Sequence, residues 1–115
     1  MTKNESFIYH IIRLKDWLKS SKDDFYQPDS FEVDKFIHFS KENQVKGVFQ
    51  RYYKDAMNPY VLKVDVHRLI HELRYEESTS NEKYPHLYGK LNLNSVVAVY
   101  PLLTDDNSGA YWVER

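Results

Sequence analysis

The chain contains no cysteine, which excludes disulfides, thiolate nucleophiles and thiolate metal sites. It has only 3 glycines, too few for a glycine-rich phosphate loop, and no Gly-x-Ser-x-Gly elbow, so P-loop and serine-hydrolase chemistry fall away. Charge of one sign is also missing. Lys and Arg number 16 against 17 Asp and Glu, without a long run of either, which argues against a dedicated nucleic-acid surface or an anionic-membrane surface. Long hydrophobic runs are absent too. The apolar stretch Phe7 to Ile12 is shorter than the apolar core of a signal peptide and far shorter than a bilayer span. A cytoplasmic protein with no membrane segment is the expectation.

Against these absences stands a rich aromatic content. Hydrophobic residues make up 42% and aromatics 16% of 115 residues, enough for one domain that buries about two-thirds of its unfolded surface. Tyr occurs 10 times, and since its ring packs while its hydroxyl needs a partner, several should lie at the edge of the core or in a cleft. Residues 1–115 read as a single domain, with a core over 7–102 and a polar turn and tail over 104–115. No repeat, low-complexity tract or linker interrupts it.

Along the chain, Phe7 to Ile12 reads as a buried first strand, and Leu14, Trp17, Leu18 and Ser21 follow at helical spacing, so a short helix is predicted over Leu14 to Ser20. Asp23 to Val33 reads as loop with a short extended piece at Phe25 and Tyr26. Phe36 to Ser40 is a strand leading into a second helix, with Ser40 as N-cap and Val45, Val48, Phe49 and Tyr52 on one face. Tyr60 to Val66 alternates as a strand with Leu62, Val64 and Val66 inward. His67 to Glu72 is a single helical turn, Leu73 to Glu76 a short strand, Tyr84 to Gly89 a rigid turn in which a cis Tyr84–Pro85 bond is an option, and Ser95 to Tyr100 the last strong strand. Ala110 to Arg115 either pairs weakly or stays loose. Helices early, strands late and no βαβ alternation imply an α+β fold with a mixed or antiparallel sheet.

The residues that can carry chemistry lie in five short stretches. In Phe36-Ile37-His38-Phe39-Ser40, alternation puts Phe36, His38 and Ser40 on one face, an aromatic ring, an imidazole and a hydroxyl in a row. Taken alone, His38 reads more simply as a core histidine with one nitrogen bonded to a carbonyl. His10, in mid-strand, reads as structural unless it converges on His38. In Tyr84-Pro85-His86-Leu87-Tyr88-Gly89, His86 and Tyr88 share a face if the segment is extended. Glu76 and Glu77 can supply a general base or a hydroxyl acceptor, or can simply be solvated, and Arg74 shares the face of Glu76 as an ion-pair partner or phosphate contact. His67 and His71 are four apart but lack the glutamate of a metalloprotease helix, so no metal is expected.

Taken in order, Phe36-Ile37-His38-Phe39-Ser40, Val61-Leu62-Lys63-Val64-Asp65 with Arg68-Leu69, Leu73-Arg74-Tyr75-Glu76, and Tyr84-Pro85-His86-Leu87-Tyr88-Gly89 resemble a small bacterial family known as domain-of-unknown-function family nine-five-two. The likeness runs from about Phe7 to Leu102. It implies a split, curved mixed sheet with two helices, like that of ADP-ribosyltransferases and RNA 2'-phosphotransferases, gripping a dinucleotide-type ligand such as NAD. On that resemblance His10 matches the polar residue of the first strand, and His38 and Ser40 match the second strand. Glu76 is the candidate catalytic carboxylate, although no Glu-x-Glu or Gln-x-Glu turn surrounds it. The implied site therefore has Glu76 and His38 as catalytic residues and His10, Tyr26, Ser40, Arg74, His86 and Tyr88 as ligand contacts, with Tyr26 or Tyr84 stacking on a ring. A transferase using NAD, a binding module of the same shape and a plain interaction domain with structural histidines are the three functions in competition. The mutual distances of His10, His38 and His86 separate the last from the others.

Overall fold

The computed structural model describes residues 6–78, 81–105 and 109–114. The first strand, β1 (Phe7–Arg13), is followed by helix α1 (Leu14–Ser20), where the helical spacing placed it. A short strand β2 (Phe25–Tyr26), a one-turn helix α2 (Phe31–Asp34) and β3 (Ile37–His38) come next. The second long helical segment is composite: a 3₁₀ turn (Glu42–Gln44), an α turn named α3 (Val45–Val48) and a π turn (Phe49–Tyr53). The remainder is β4 (Pro59–Asp65), β5 (Glu72–Glu77), β6 (Lys83–Tyr88), β7 (Leu91–Asn92), β8 (Val96–Pro101), β9 (Leu103–Thr104) and β10 (Ala110–Tyr111). Among the described residues no helix is long and apolar enough to cross a membrane.

These strands form two three-stranded sheets, ordered β1-β4-β8 and β3-β6-β5, and two minor pairs, β2-β7 and β9-β10. Every pairing among the described residues is antiparallel, so the sheet is split, as expected, but not mixed.

β1 owes its place to having no polar face. Its middle five residues are all buried, a pattern that only a strand covered on both sides can carry. In register with it, Ile8 opposes Val64 and His10 opposes Leu62. One side of the β1-β4 pair packs Ile8, Ile12, Leu62 and Val64 against Tyr26, Ile37, Phe39, Leu87 and Leu91. The other packs Tyr9, Ile11 and Val61 against Val45 and Phe49 of the helical segment and against Leu102 and Ala110. Each such buried aliphatic contributes about 1.5–3 kcal/mol relative to exposure. Val61 is thus inward as well, which strict alternation on Leu62 and Val64 did not anticipate.

The segment Phe36 to Ser40 joins the two sheets. Ile37 and His38 pair with Leu87 and His86 of β6, and the Phe39 N–H donates to the Pro85 carbonyl at 2.9 Å. Two residues on, Ser40 and Tyr9 exchange both backbone hydrogen bonds, at 2.7 and 2.8 Å, which ties the segment to β1. That pairing corrects the N-cap expected at Ser40. The helical segment starts after Lys41, whose N–H is satisfied by the Gln44 side chain at 3.0 Å. Ser40 lies one residue too early to cap it.

Tyr84 to Gly89 is the larger departure. It is no turn. β6 is the central strand of its sheet, paired on both edges, and no cis peptide bond occurs among the described residues. Pro85 sits where proline normally removes a ladder donor, but its carbonyl is used by Phe39 and its ring is fully buried. The tail does pair, Ala110 with Thr104 and Tyr111 with Leu103, while the tip of the polar turn between them falls outside the described residues.

Candidate functional site

The register of the β3-β6-β5 sheet sets His38, His86 and Arg74 side by side across three strands. Alternation then sorts the sheet into two faces. Ile37, Leu87 and Leu73 point to the core, where Ile37 and Leu87 are fully buried. The opposite face carries His38, Tyr84, His86, Tyr88, Glu72, Arg74 and Glu76, and Phe36 folds over it.

His86 is the centre of that face. It is 5% exposed, and its Nδ1–H donates to Glu76 Oε1 at 2.8 Å. Tyr88 Oη donates to the same carboxylate oxygen at 2.7 Å. These two donors, Tyr88 first and His86 second, hold the Glu76 carboxyl below the usual carboxylate range. The Phe36 ring stacks on the imidazole of His86, with centroids 4.0 Å apart and planes 13° from parallel. His38 stands edge-on to it at 4.6 Å. Burial, then the neighbouring His86, lowers the His38 pKa, so the His38 ring is neutral near pH 7. The Nε2 of His86 is buried and has no hydrogen-bond partner among the described residues.

Behind this pair, Arg74 lies over the Tyr88 ring at 4.4 Å and makes a two-toothed ion pair with Glu72 at 2.9 and 3.1 Å. Arg74 therefore has the ion-pair role open to it from sequence, but with Glu72 as its partner.

His10 has a different environment. Its Nδ1–H donates to the His38 carbonyl at 2.7 Å, and its Nε2 accepts from Tyr26 Oη at 3.1 Å. Both ring nitrogens are satisfied in the neutral form, and burial lowers its pKa to about 4. Burial also raises the Tyr26 hydroxyl, keeping it a donor. His10 converges on the His38 main chain, not on the His38 ring.

A cleft of about 1320 Å³ runs past these groups, walled by His10, Tyr26, His38, Ser40, Tyr84 and His86, with Arg51 and Tyr53 of the π turn opposite. Arg51 Nη2 donates to Tyr84 Oη at 2.8 Å, which fixes the guanidinium at the cleft. Of the residues singled out from sequence, His10, Tyr26, His38, Ser40, Tyr84 and His86 line this space. Glu76, Arg74 and Tyr88 do not; they share the sheet face of His86 and act on it from beside the cleft. Glu77, the neighbouring carboxylate, is the one that reaches the cleft wall. Sequence reasoning missed Arg51 and the stacking role of Phe36. The signal for Arg51 was weak, a lone arginine on a helix whose π turn rotates it toward Tyr84.

His67 and His71 are not on one helical face. The 3₁₀ turn ends at Arg68, and His71 packs beside Gly89, where an added Cβ would lie 2.3 Å from the His71 Cγ. Among the described residues no group of three or more His, Asp or Glu is disposed to hold a metal.

The architecture is shared with solved structures of protein CC0527 from Caulobacter crescentus. Its crystal structure superposes with a TM-score of 0.81 at 24% sequence identity, over 91% of this chain and 93% of that one. A crystal structure of a double mutant of that protein gives a TM-score of 0.81 at 23% identity, with the same coverage of 91% and 93%. Its solution NMR structure gives 0.77 at 24% identity, over 91% of each chain. At these identities the likeness establishes the fold. No curated protein matches the chain. A family model described as "Protein of unknown function (DUF952)" matches residues 11–99, from the middle of β1 to the middle of β8, and the chain belongs to that family.

Proposed function

We propose that the protein binds a nucleotide-type ligand, of the NAD or ADP-ribose class, in the cleft beside His38 and His86. The observation that carries this reading is the convergence of His38, Ser40, His86, Tyr84 and Arg51 on one space of about 1320 Å³, roomy enough for a dinucleotide fragment. Arg51 supplies a guanidinium anchored at the cleft by an aromatic hydroxyl, suited to a phosphate oxygen. Tyr26 and Tyr84 offer rings, and the histidines offer acceptors for sugar hydroxyls. This is the ligand class that an ADP-ribosyltransferase-like fold implies.

Transfer chemistry is the second reading, and one observation sets binding ahead of it. A catalytic carboxylate must reach the reacting sugar, whereas Glu76 is engaged with His86 and Tyr88 outside the cleft. Titration with NAD and ADP-ribose tests binding. A ligand-dependent rise in the unfolding midpoint is expected, reduced by Arg51→Ala and by His38→Ala. No rise with either ligand defeats the reading. Incubation with labelled NAD tests transfer, and turnover that disappears in Glu76→Ala would restore the carboxylate to a catalytic role.

A further inference from the structure

His86 presents an unusual combination. A buried polar atom without a partner costs about 1–3 kcal/mol, and native folds keep such atoms rare. Yet here the chain invests two further side chains in orienting that ring. Glu76 accepts from Nδ1–H at 2.8 Å, and in the neutral ring this leaves the lone pair on Nε2. Tyr88 donates to the same Glu76 oxygen at 2.7 Å and keeps the carboxylate ionised and in place. Phe36 closes one face of the imidazole at 4.0 Å. The result is a pre-oriented nitrogen, buried and lacking a donor among the described residues, on a side chain that forms part of the cleft wall.

His10 shows that the fold can satisfy a buried imidazole completely when it is only structural, with a carbonyl on one nitrogen and a tyrosine hydroxyl on the other. His86 has only the first half of that arrangement. In the neutral ring the missing partner is a donor, and a small one, because the Phe36 and His38 rings crowd the imidazole. A hydroxyl is the smallest such donor a ligand carries.

We infer that His86 Nε2 accepts a hydrogen bond from a hydroxyl of the cleft's ligand, with Glu76 and Tyr88 as positioning residues that hold the accepting tautomer. A sugar-type hydroxyl is the chemical class required. The inference rests on the nucleotide reading only for the rest of the ligand, not for the hydroxyl itself.

Long-range ¹H–¹⁵N NMR of the full ¹⁵N-labelled chain tests it, with His86→Gln identifying the ring signals. Expected are an Nδ1–H tautomer for His86 and a saturable upfield shift of Nε2 on titration with ribose, reached at least tenfold earlier with ADP-ribose. A ring protonated on Nε2, or an Nε2 signal unmoved by both ribose and ADP-ribose, overturns the inference. A shift that saturates with ribose but no earlier with ADP-ribose upholds it and removes the nucleotide reading instead. Glu76→Leu should bring in the second tautomer and weaken the ribose response. Glu76→Gln, whose side-chain carbonyl can still accept from Nδ1–H, should restore both. If Glu76→Leu changes neither, the positioning role is wrong.

Discussion

The two three-stranded sheets differ in what they do with their faces. In the β1-β4-β8 sheet, the β1-β4 pair is covered on both sides, so every residue in the middle of β1 is buried, including its histidine. The β3-β6-β5 sheet gives one face to the core and leaves the other polar, aromatic and partly open. His10 and His86 record that difference. Both are buried, but among the described residues the first has two hydrogen-bond partners and the second has one. Where burial is complete on both sides, an imidazole is tolerated only when fully bonded. Where one face is free, a partner can be left for something else to supply.

The largest expected effect separates the sheets by stability. Leu62→Ala, at a fully buried position of β4, should cost about 2–5 kcal/mol through lost burial and a cavity. His38→Ala, on the open face, should cost less than about 1 kcal/mol. Urea unfolding of both variants measures the contrast, and equal losses would break it.

Next comes acid sensitivity. The folded-state pKa of His10 is lowered to about 4, below its value of 6.5 in the unfolded chain. The unfolded state therefore binds the extra proton between those values. Stability is full above about pH 6.5 and falls as the pH drops toward 4, by at most about 3 kcal/mol from this residue. His38, also lowered, adds a loss of the same sign. His10→Gln can still donate to the His38 carbonyl and accept from Tyr26. It should flatten the pH dependence of the urea midpoint, and an unchanged slope would place the sensitivity elsewhere.

Gly89→Ala should cost about 1–3 kcal/mol by overpacking, because the new methyl meets His71 Cβ and Cγ, atoms held close to the backbone. A neutral variant would mean that the chain after β6 shifts readily. The smallest effect belongs to Glu76→Gln, which should leave both the unfolding midpoint and the His86 tautomer nearly unchanged. A large loss of stability would make Glu76 part of the scaffold.

The elements that were plain in the sequence are those with a strong local pattern. Helix α1 and strand β4 follow from periodicity alone, β8 from a valine-rich run ended by Pro101, and the composition of β1, apolar without alternation, already implied a buried strand. The β6 strand was illegible for a definite reason. Tyr84-Pro85-His86-Leu87-Tyr88-Gly89 carries a proline and ends in glycine, the local signature of a turn, and only pairing with β3 and β5 on its two edges overrides it. The one-turn helix α2 had no periodicity to show. The partnership of His38 with His86 was half legible, as two aromatic-histidine islands, but their meeting depends on a register between segments far apart in the chain.

By itself, then, the sequence determined the inventory: no thiol, no phosphate loop, one aromatic-rich α+β domain, and histidines set in apolar strands beside tyrosines. It also determined which residues would share a strand face, because that periodicity is covalent geometry. The tertiary structure decided which histidine is finished and which is not. His10 received a carbonyl and a tyrosine from two other segments. His86 received a carboxylate on one nitrogen and, among the described residues, nothing on the other. No local pattern encodes that difference, because the partners of each ring come from other strands.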